Sequence, residues 1–298
     1  MEKALSPKTL EIVKMMQEGE VTESAIYAAI AKSCKDPNNK KILEQISLDE
    51  MRHANLWKHY TGVDVKPNKR KIRHYAFLNR LFGFTFTIRL MENGENKAQK
   101  VYDSIATEIP EAKVVEHEEK IHEESVIAML DEERLQFVGA IVLGLNDALV
   151  ELTGALAGFT IAYGDQIKLI ALSGLITGIA AALSMAASAY LQAAANDDKN
   201  AKKSAIYTGL TYLLTVVFLI APYLLFGFLN VPNGKWYALA IMLSTVILII
   251  AGFNYYISVA KQYSFKKRFF SMLAISMGVA GLSFLIGLIV KTAFGISV

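Results

Sequence analysis

Two segments of the chain share one spacing: Glu50-Met51-Arg52-His53 and Glu119-Lys120-Ile121-His122 are both Glu-x-x-His. On a helix that spacing puts the carboxylate and the imidazole on one face. In each half of the same stretch a further glutamate stands seven residues before a tyrosine, Glu20 before Tyr27 and Glu95 before Tyr102. Together these residues offer hard carboxylate oxygens and imidazole nitrogens, a donor set that suits a pair of metal ions. A single Glu-x-x-His is usually no more than a solvated helix face. Two of them, each balanced by a separate glutamate, make the metal reading the stronger one.

Helix geometry tests which glutamates belong together. In an antiparallel hairpin, residues at equal height lie equidistant from the turn. The midpoint of Glu20 and Glu50 falls at 35, beside the Asp36-Pro37 break, and that of Glu95 and Glu119 falls at 107, just before Glu108-Ile109-Pro110. Using Glu92 instead moves the second midpoint back inside the expected third helix, so Glu95 is the primary ligand and Glu92 an auxiliary one. His59, His74, His117, Glu116, Glu118, Glu123 and Glu124 are expected at the surface, with a loose metal-collecting fringe as their other reading.

Four helices must position these donors within residues 1–134. The first runs from Pro7 to about Ser33. Asp36 and Pro37 supply an N-cap and a first-turn proline for the second, which runs to about Tyr60. A connection containing Gly62 and Pro67 leads to a third helix over about Lys71–Ala106, and Pro110 opens a fourth. The fourth is expected to continue through Asp131-Glu132-Glu133 toward the next helix without a break. One glutamate from each of two helices, with Glu-x-x-His from each of the other two, is the di-iron carboxylate arrangement of ferritin-like bundles. This half resembles rubrerythrin and bacterioferritin. The resemblance implies a ferritin-like four-helix domain whose cofactor is a di-iron centre, with manganese or zinc as substitutes. It carries no rubredoxin-type cysteines. Cys34, the chain's one cysteine, excludes an internal disulfide and has no role assigned.

The second half differs in kind. Residues 1–134 hold 21 Lys+Arg, 23 Asp+Glu and all five histidines, whereas 135–298 hold 10 Lys+Arg, 5 Asp+Glu and no histidine. The overall charge of +3 is thus the sum of an acidic half and a basic one, and it gives no ground for a nucleic-acid partner. The N-terminus lacks the apolar core of a secretory signal, so no cleavage is expected. Five apolar stretches, about 135–163, 167–195, 204–229, 236–260 and 269–291, each exceed the ~20 residues that cross a bilayer as a helix. Lys199, Lys202 and Lys203 in one loop and Lys261, Lys266, Lys267 and Arg268 in another outnumber the cations opposite. The positive-inside rule then places the N-terminal domain in the cytoplasm and Val298 outside a multi-pass cell-membrane protein. Gly154 and Gly158, with Gly174, Gly178, Ala182 and Ala186, form small-residue ladders that allow close packing within a protomer or across a dimer.

Asp147 and Glu151 are the acids of the first apolar stretch, one turn apart on one face. No Lys or Arg lies within the membrane to neutralise them, which leaves a cation as their natural partner. Met185 on the second stretch adds a soft donor only if it faces them. The run Gly144-Leu145-Asn146-Asp147, with Ser184-Met185 and Tyr190, resembles the first two helices of the vacuolar iron transporter family. That resemblance implies five membrane helices, a homodimer, exchange of Fe2+ or Mn2+ for protons, and metal contact by Asp147 and Met185. The family's acidic cytoplasmic domain between its second and third helices is missing, since 196–203 is a short polar loop. The whole order resembles a ferritin-like domain fused to such a transporter, the membrane-bound ferritin type. An all-α protein with domains 1–134 and 135–298 is expected, exporting iron outward. The other reading is a membrane-anchored di-iron oxidoreductase, ferroxidase or peroxidase, in which the membrane half is mainly an anchor.

Overall fold

The computed structural model describes residues 5–34, 36–95, 99–128 and 137–294, without the side chains of 92–100, 127, 128 and 294. Among the described residues it is all-helical, with eleven α-helices and a division into two compact units, Met1–Glu132 and Glu133–Val298. The expected continuation of the fourth helix through 131–133 lies outside the described residues.

Unit 1 contains α1 (Pro7–Ser33), α2 (Pro37–Thr61), α3 (Lys69–Phe82), α4 (Phe84–Glu95), α5 (Gln99–Ile105) and α6 (Ala112–Ala128). Local chemistry sets the ends. The Ser6 hydroxyl accepts from the Thr9 amide, and Asp36 Oδ1 accepts from the amides of Asn38 and Asn39, each with proline at the first helical turn. These bonds satisfy amides that a helix start otherwise leaves unpaired. The expected unbroken third helix is corrected: Gly83, at φ 91°, separates α3 from α4, a conformation an L side chain rarely adopts. Residues 96–98, between α4 and α5, lie outside the described residues.

Along α1, α2 and α6 the buried residues change character with height. One apolar cluster gathers Ile26, Tyr27, Ile30, Leu43, Ile46, Ile88 and Val126. Another gathers Val13, Trp57, Tyr102, Ile105, Ile109 and Val115. Glu20 on α1, Glu50 and His53 on α2, and Glu119 and His122 on α6 fall between these clusters in sequence on every helix. The bundle is a polar layer closed at both ends by apolar side chains.

Unit 2 holds α7 (Val138–Ala162), α8 (Ile167–Ala195), α9 (Ala201–Leu229), α10 (Gly234–Lys261) and α11 (Phe265–Phe294), all long and apolar enough to cross a membrane. The α7 helix packs against all four others. The small-residue ladders serve this packing within one chain. A Cβ at Gly144 would stand 2.3 Å from the Thr208 carbonyl oxygen, and one at Gly287 would stand 2.7 Å from the Gly158 carbonyl oxygen. Glycine there lets α9 and α11 approach α7 at backbone distance.

Candidate metal-binding sites

In unit 1, single ligand atoms of Glu20, Glu50, His53 and Glu119 all lie within 4.8 Å of one another. His53 Nδ1 stands 3.0 Å from Glu119 Oε1, 3.6 Å from Glu50 Oε2 and 3.8 Å from Glu20 Oε2. His122 joins from the other side, its Nδ1 3.2 Å from Glu50 Oε1 and 3.8 Å from Glu119 Oε2. Glu20, Glu50, His53 and His122 are buried. Yet Glu50 Oε2, His53 Nδ1, Glu119 Oε1 and His122 Nδ1 are buried polar atoms with no aligned hydrogen bond. Such orphans are costly, and all four belong to the Glu20, Glu50, His53 and Glu119 cluster or to His122 beside it. Metal ions held between these residues would satisfy them, so the residues fit the metal pair implied by their spacing. The side chains of Glu92 and Glu95 lie outside the described residues.

The outward nitrogens are also held. His53 Nε2 is 2.7 Å from Glu118 Oε2, and His122 Nε2 is 3.4 Å from Asp49 Oδ2. Arg52 ties the two acids together, donating to Asp49 at 3.1 Å and to both oxygens of Glu118 at 3.1 and 3.2 Å. A carboxylate on the far nitrogen fixes the ring and directs the near nitrogen inward. This corrects the expectation that Glu118 is surface charge. The signal was available, because an acid directly precedes the glutamate of each Glu-x-x-His, Asp49 before Glu50 and Glu118 before Glu119. Each of them reaches the histidine of the opposite helix. Glu20 is held by Trp57, whose indole N–H donates to Oε1 at 3.1 Å, and by the Tyr102 hydroxyl at 3.4 Å.

Charge in this layer is divided unequally. Burial, and next the charge on Glu50, hold Glu20 well above the usual carboxylate range. Burial opposes ionisation of Glu50 too, but the adjoining His122 and His53 outweigh it and bring Glu50 down to about 2. Burial alone would depress both imidazoles. The neighbouring Glu119 and Glu50 carboxylates instead raise His122 to about 10, and Glu119 and Glu20 raise His53 further. Protons thus do in the metal-free site what cations would do in a loaded one. Glu23, half-buried one turn beyond Glu20, is pushed up to about 8 by burial and by the charges of Glu50 and Glu119. It is a further acid of this layer that the sequence reading passed over, although its spacing from Glu20 announces it.

In unit 2 the acids are placed differently. Asp147 is half-buried, and Glu151 is exposed on the surface of the protomer. Only part of their helix face is covered by the protomer. The Tyr212 hydroxyl of α9, itself fully buried, donates to Glu151 Oε2 at 3.1 Å. Met185 is half-buried on α8 and packs against the apolar core of the unit. No hydrogen bond among the described residues joins it to either acid. Tyr212 was not foreseen, because nothing in the sequence says which tyrosine reaches a carboxylate.

Unit 2 therefore defines a multi-pass helical membrane protein with acids on its central helix. A family model described as the VIT family matches residues 138–203, which supports reading this unit as a vacuolar-iron-transporter membrane domain. The match spans α7, α8 and the following loop, and so includes Asp147, Glu151 and Met185. No curated protein and no solved structure matches the chain.

Proposed function

We propose that the chain exports ferrous iron, and manganese as a related cargo, from the cytoplasm in exchange for protons, with unit 1 as a ferritin-like di-iron domain that gathers or senses metal. The observation that carries this reading is the acid pair Asp147–Glu151 on the central membrane helix, inside the stretch that matches the VIT family. A carboxyl group binds either a proton or a metal cation, so one group couples both cargoes. Half-burial of Asp147 and exposure of Glu151 support a homodimer in which a second copy covers this face, since a carboxylate facing lipid is costly. Met185 supplies sulfur to the metal in that arrangement. The loop cations support a cytoplasmic location for unit 1.

In unit 1 the residues that would hold iron are Glu20, Glu50, His53, Glu119 and His122, with Glu95 and Glu92 from α4. Bound iron would supply redox chemistry. The protein's own groups orient the histidines through Glu118 and Asp49, hold Glu20 through Trp57 and Tyr102, and exclude water with the two apolar clusters. The oxidoreductase reading is favoured by one fact: this donor layer lies wholly within unit 1.

Proteoliposomes holding the full chain test both readings. Transport predicts Fe2+ flux with an opposite change of internal pH. Oxygen or peroxide consumption without any flux would establish the anchored oxidoreductase instead. Tags at Met1 and Val298 in intact cells test direction: external protease digesting the Met1 tag while sparing that at Val298 would reverse it.

A further inference from the structure

The α3 helix buries none of its fourteen residues. Ile72 and Tyr75 lean partly against the upper apolar cluster. At helical spacing, Arg70, Arg73, His74, Phe77, Arg80 and Leu81 form the opposite face. Phe77 is 61% and Leu81 53% exposed. The helix has five cations, Lys69, Arg70, Lys71, Arg73 and Arg80, and no Asp or Glu. None of the ion pairs among the described residues involves Lys69, Arg70, Arg73 or Arg80. The net acidity of residues 1–134 conceals this segment, because the acids lie on other helices.

A helix with exposed aromatic and aliphatic residues flanked by cations matches a bilayer surface, where apolar side chains enter the acyl boundary and cations meet phosphates. We infer that α3 is an interfacial anchor that docks unit 1 onto an anionic lipid leaflet through Phe77, Leu81 and the surrounding arginines. Two features select lipid over other occupants. A second copy meeting this face about a two-fold axis would set arginines against arginines. The unit also shares its polypeptide with five membrane-capable helices, so lipid is always within reach, at high effective concentration. The inference rests on the membrane reading of unit 2 and on the cytoplasmic placement only for which leaflet is met, since cytoplasmic leaflets are the anionic ones.

The test uses the full chain in nanodiscs, which present the same lipid on both faces, so an error in orientation cannot mimic failure. An environment-sensitive fluorophore is attached at Ala76→Cys in a Cys34→Ala background. In discs containing phosphatidylglycerol its emission should shift to the blue, and brominated lipid should remove most of it. Discs of phosphatidylcholine alone, or high salt, should abolish most of both effects. Phe77→Ser with Leu81→Ser should lose the quenching, and so should Arg70→Gln with Arg73→Gln and Arg80→Gln, with helicity and metal loading of unit 1 unchanged. Emission identical in the two lipids would overturn the proposal. So would a shift that follows protein concentration in detergent, which indicates a second copy, or one produced only by added oligonucleotide.

Discussion

The polar layer of unit 1 and the acid pair of unit 2 use the same chemical groups in opposite surroundings. Glu20, Glu50, His53 and His122 are sealed between apolar clusters and steadied from outside by Glu118, Asp49, Trp57 and Tyr102. Asp147 and Glu151 have one phenol from Tyr212 and an open side. On the proposed reading, donors gathered inside one unit hold metal. Two acids with part of their coordination sphere unfilled can pass it on, because release requires that no ligand set be saturated from one side. On that reading, retention and transit differ less in donor chemistry than in how much of the site one protomer supplies.

The largest effect that could break this contrast is on flux. Asp147→Asn keeps the shape of the side chain and removes its charge. It should abolish metal and proton movement in proteoliposomes while metal loading of unit 1 persists; wild-type flux in this variant would refute the transit role. Met185→Leu roughly conserves volume and should weaken flux without impairing folding.

The matching change in unit 1 is Glu50→Gln. It should eliminate the paired metal, read by metal analysis and anomalous scattering, and lower the melting temperature of the metal-free protein at neutral pH, because ionised Glu50 is held by His122 and His53. Two metals still bound in this variant would remove Glu50 from the ligands.

A smaller effect concerns pH. His122 stands near 10 in the fold, above the ~6.5 of an unfolded imidazole. Its contribution is complete below about 6.5 and is lost as pH rises through about 10. Glu50, near 2 in the fold, contributes fully above its unfolded value of about 4.3 and loses that contribution as pH falls through about 2. With chelator, unit 1 should melt highest at about pH 4.5 and several degrees lower on the alkaline side, because Glu20 and Glu23, both raised in the fold, also lose their contribution as pH climbs above about 4.3. Bound metal should flatten the alkaline limb. An unchanged slope after loading would separate His122 from the metal.

The smallest expected change is Tyr212→Phe. Loss of one hydrogen bond worth about 1 kcal/mol should reduce flux roughly fivefold without affecting unit 1. A null result would leave the acid pair with no support from α9.

By itself, the sequence determined five membrane-capable helices, because apolar runs of that length have one stable form in lipid. It also determined that Glu20 and Glu50 match in height on α1 and α2, because the Asp36-Pro37 turn lies midway between them, and the spacing of Glu-x-x-His sets the face. What it could not state was how helices rotate against one another. Glu118 turns from expected surface charge into a partner of His53, and Arg52 into the bridge between two acids, only when α2 and α6 are brought side by side. Gly83 ends α3, although glycine within a helical pattern is often tolerated. Glu151 sits one turn from Asp147 in any helix. Whether it is covered depends on which flank of α7 the other four helices occupy, a choice made by the close approaches at Gly144 and Gly158 and by the packing of the whole unit.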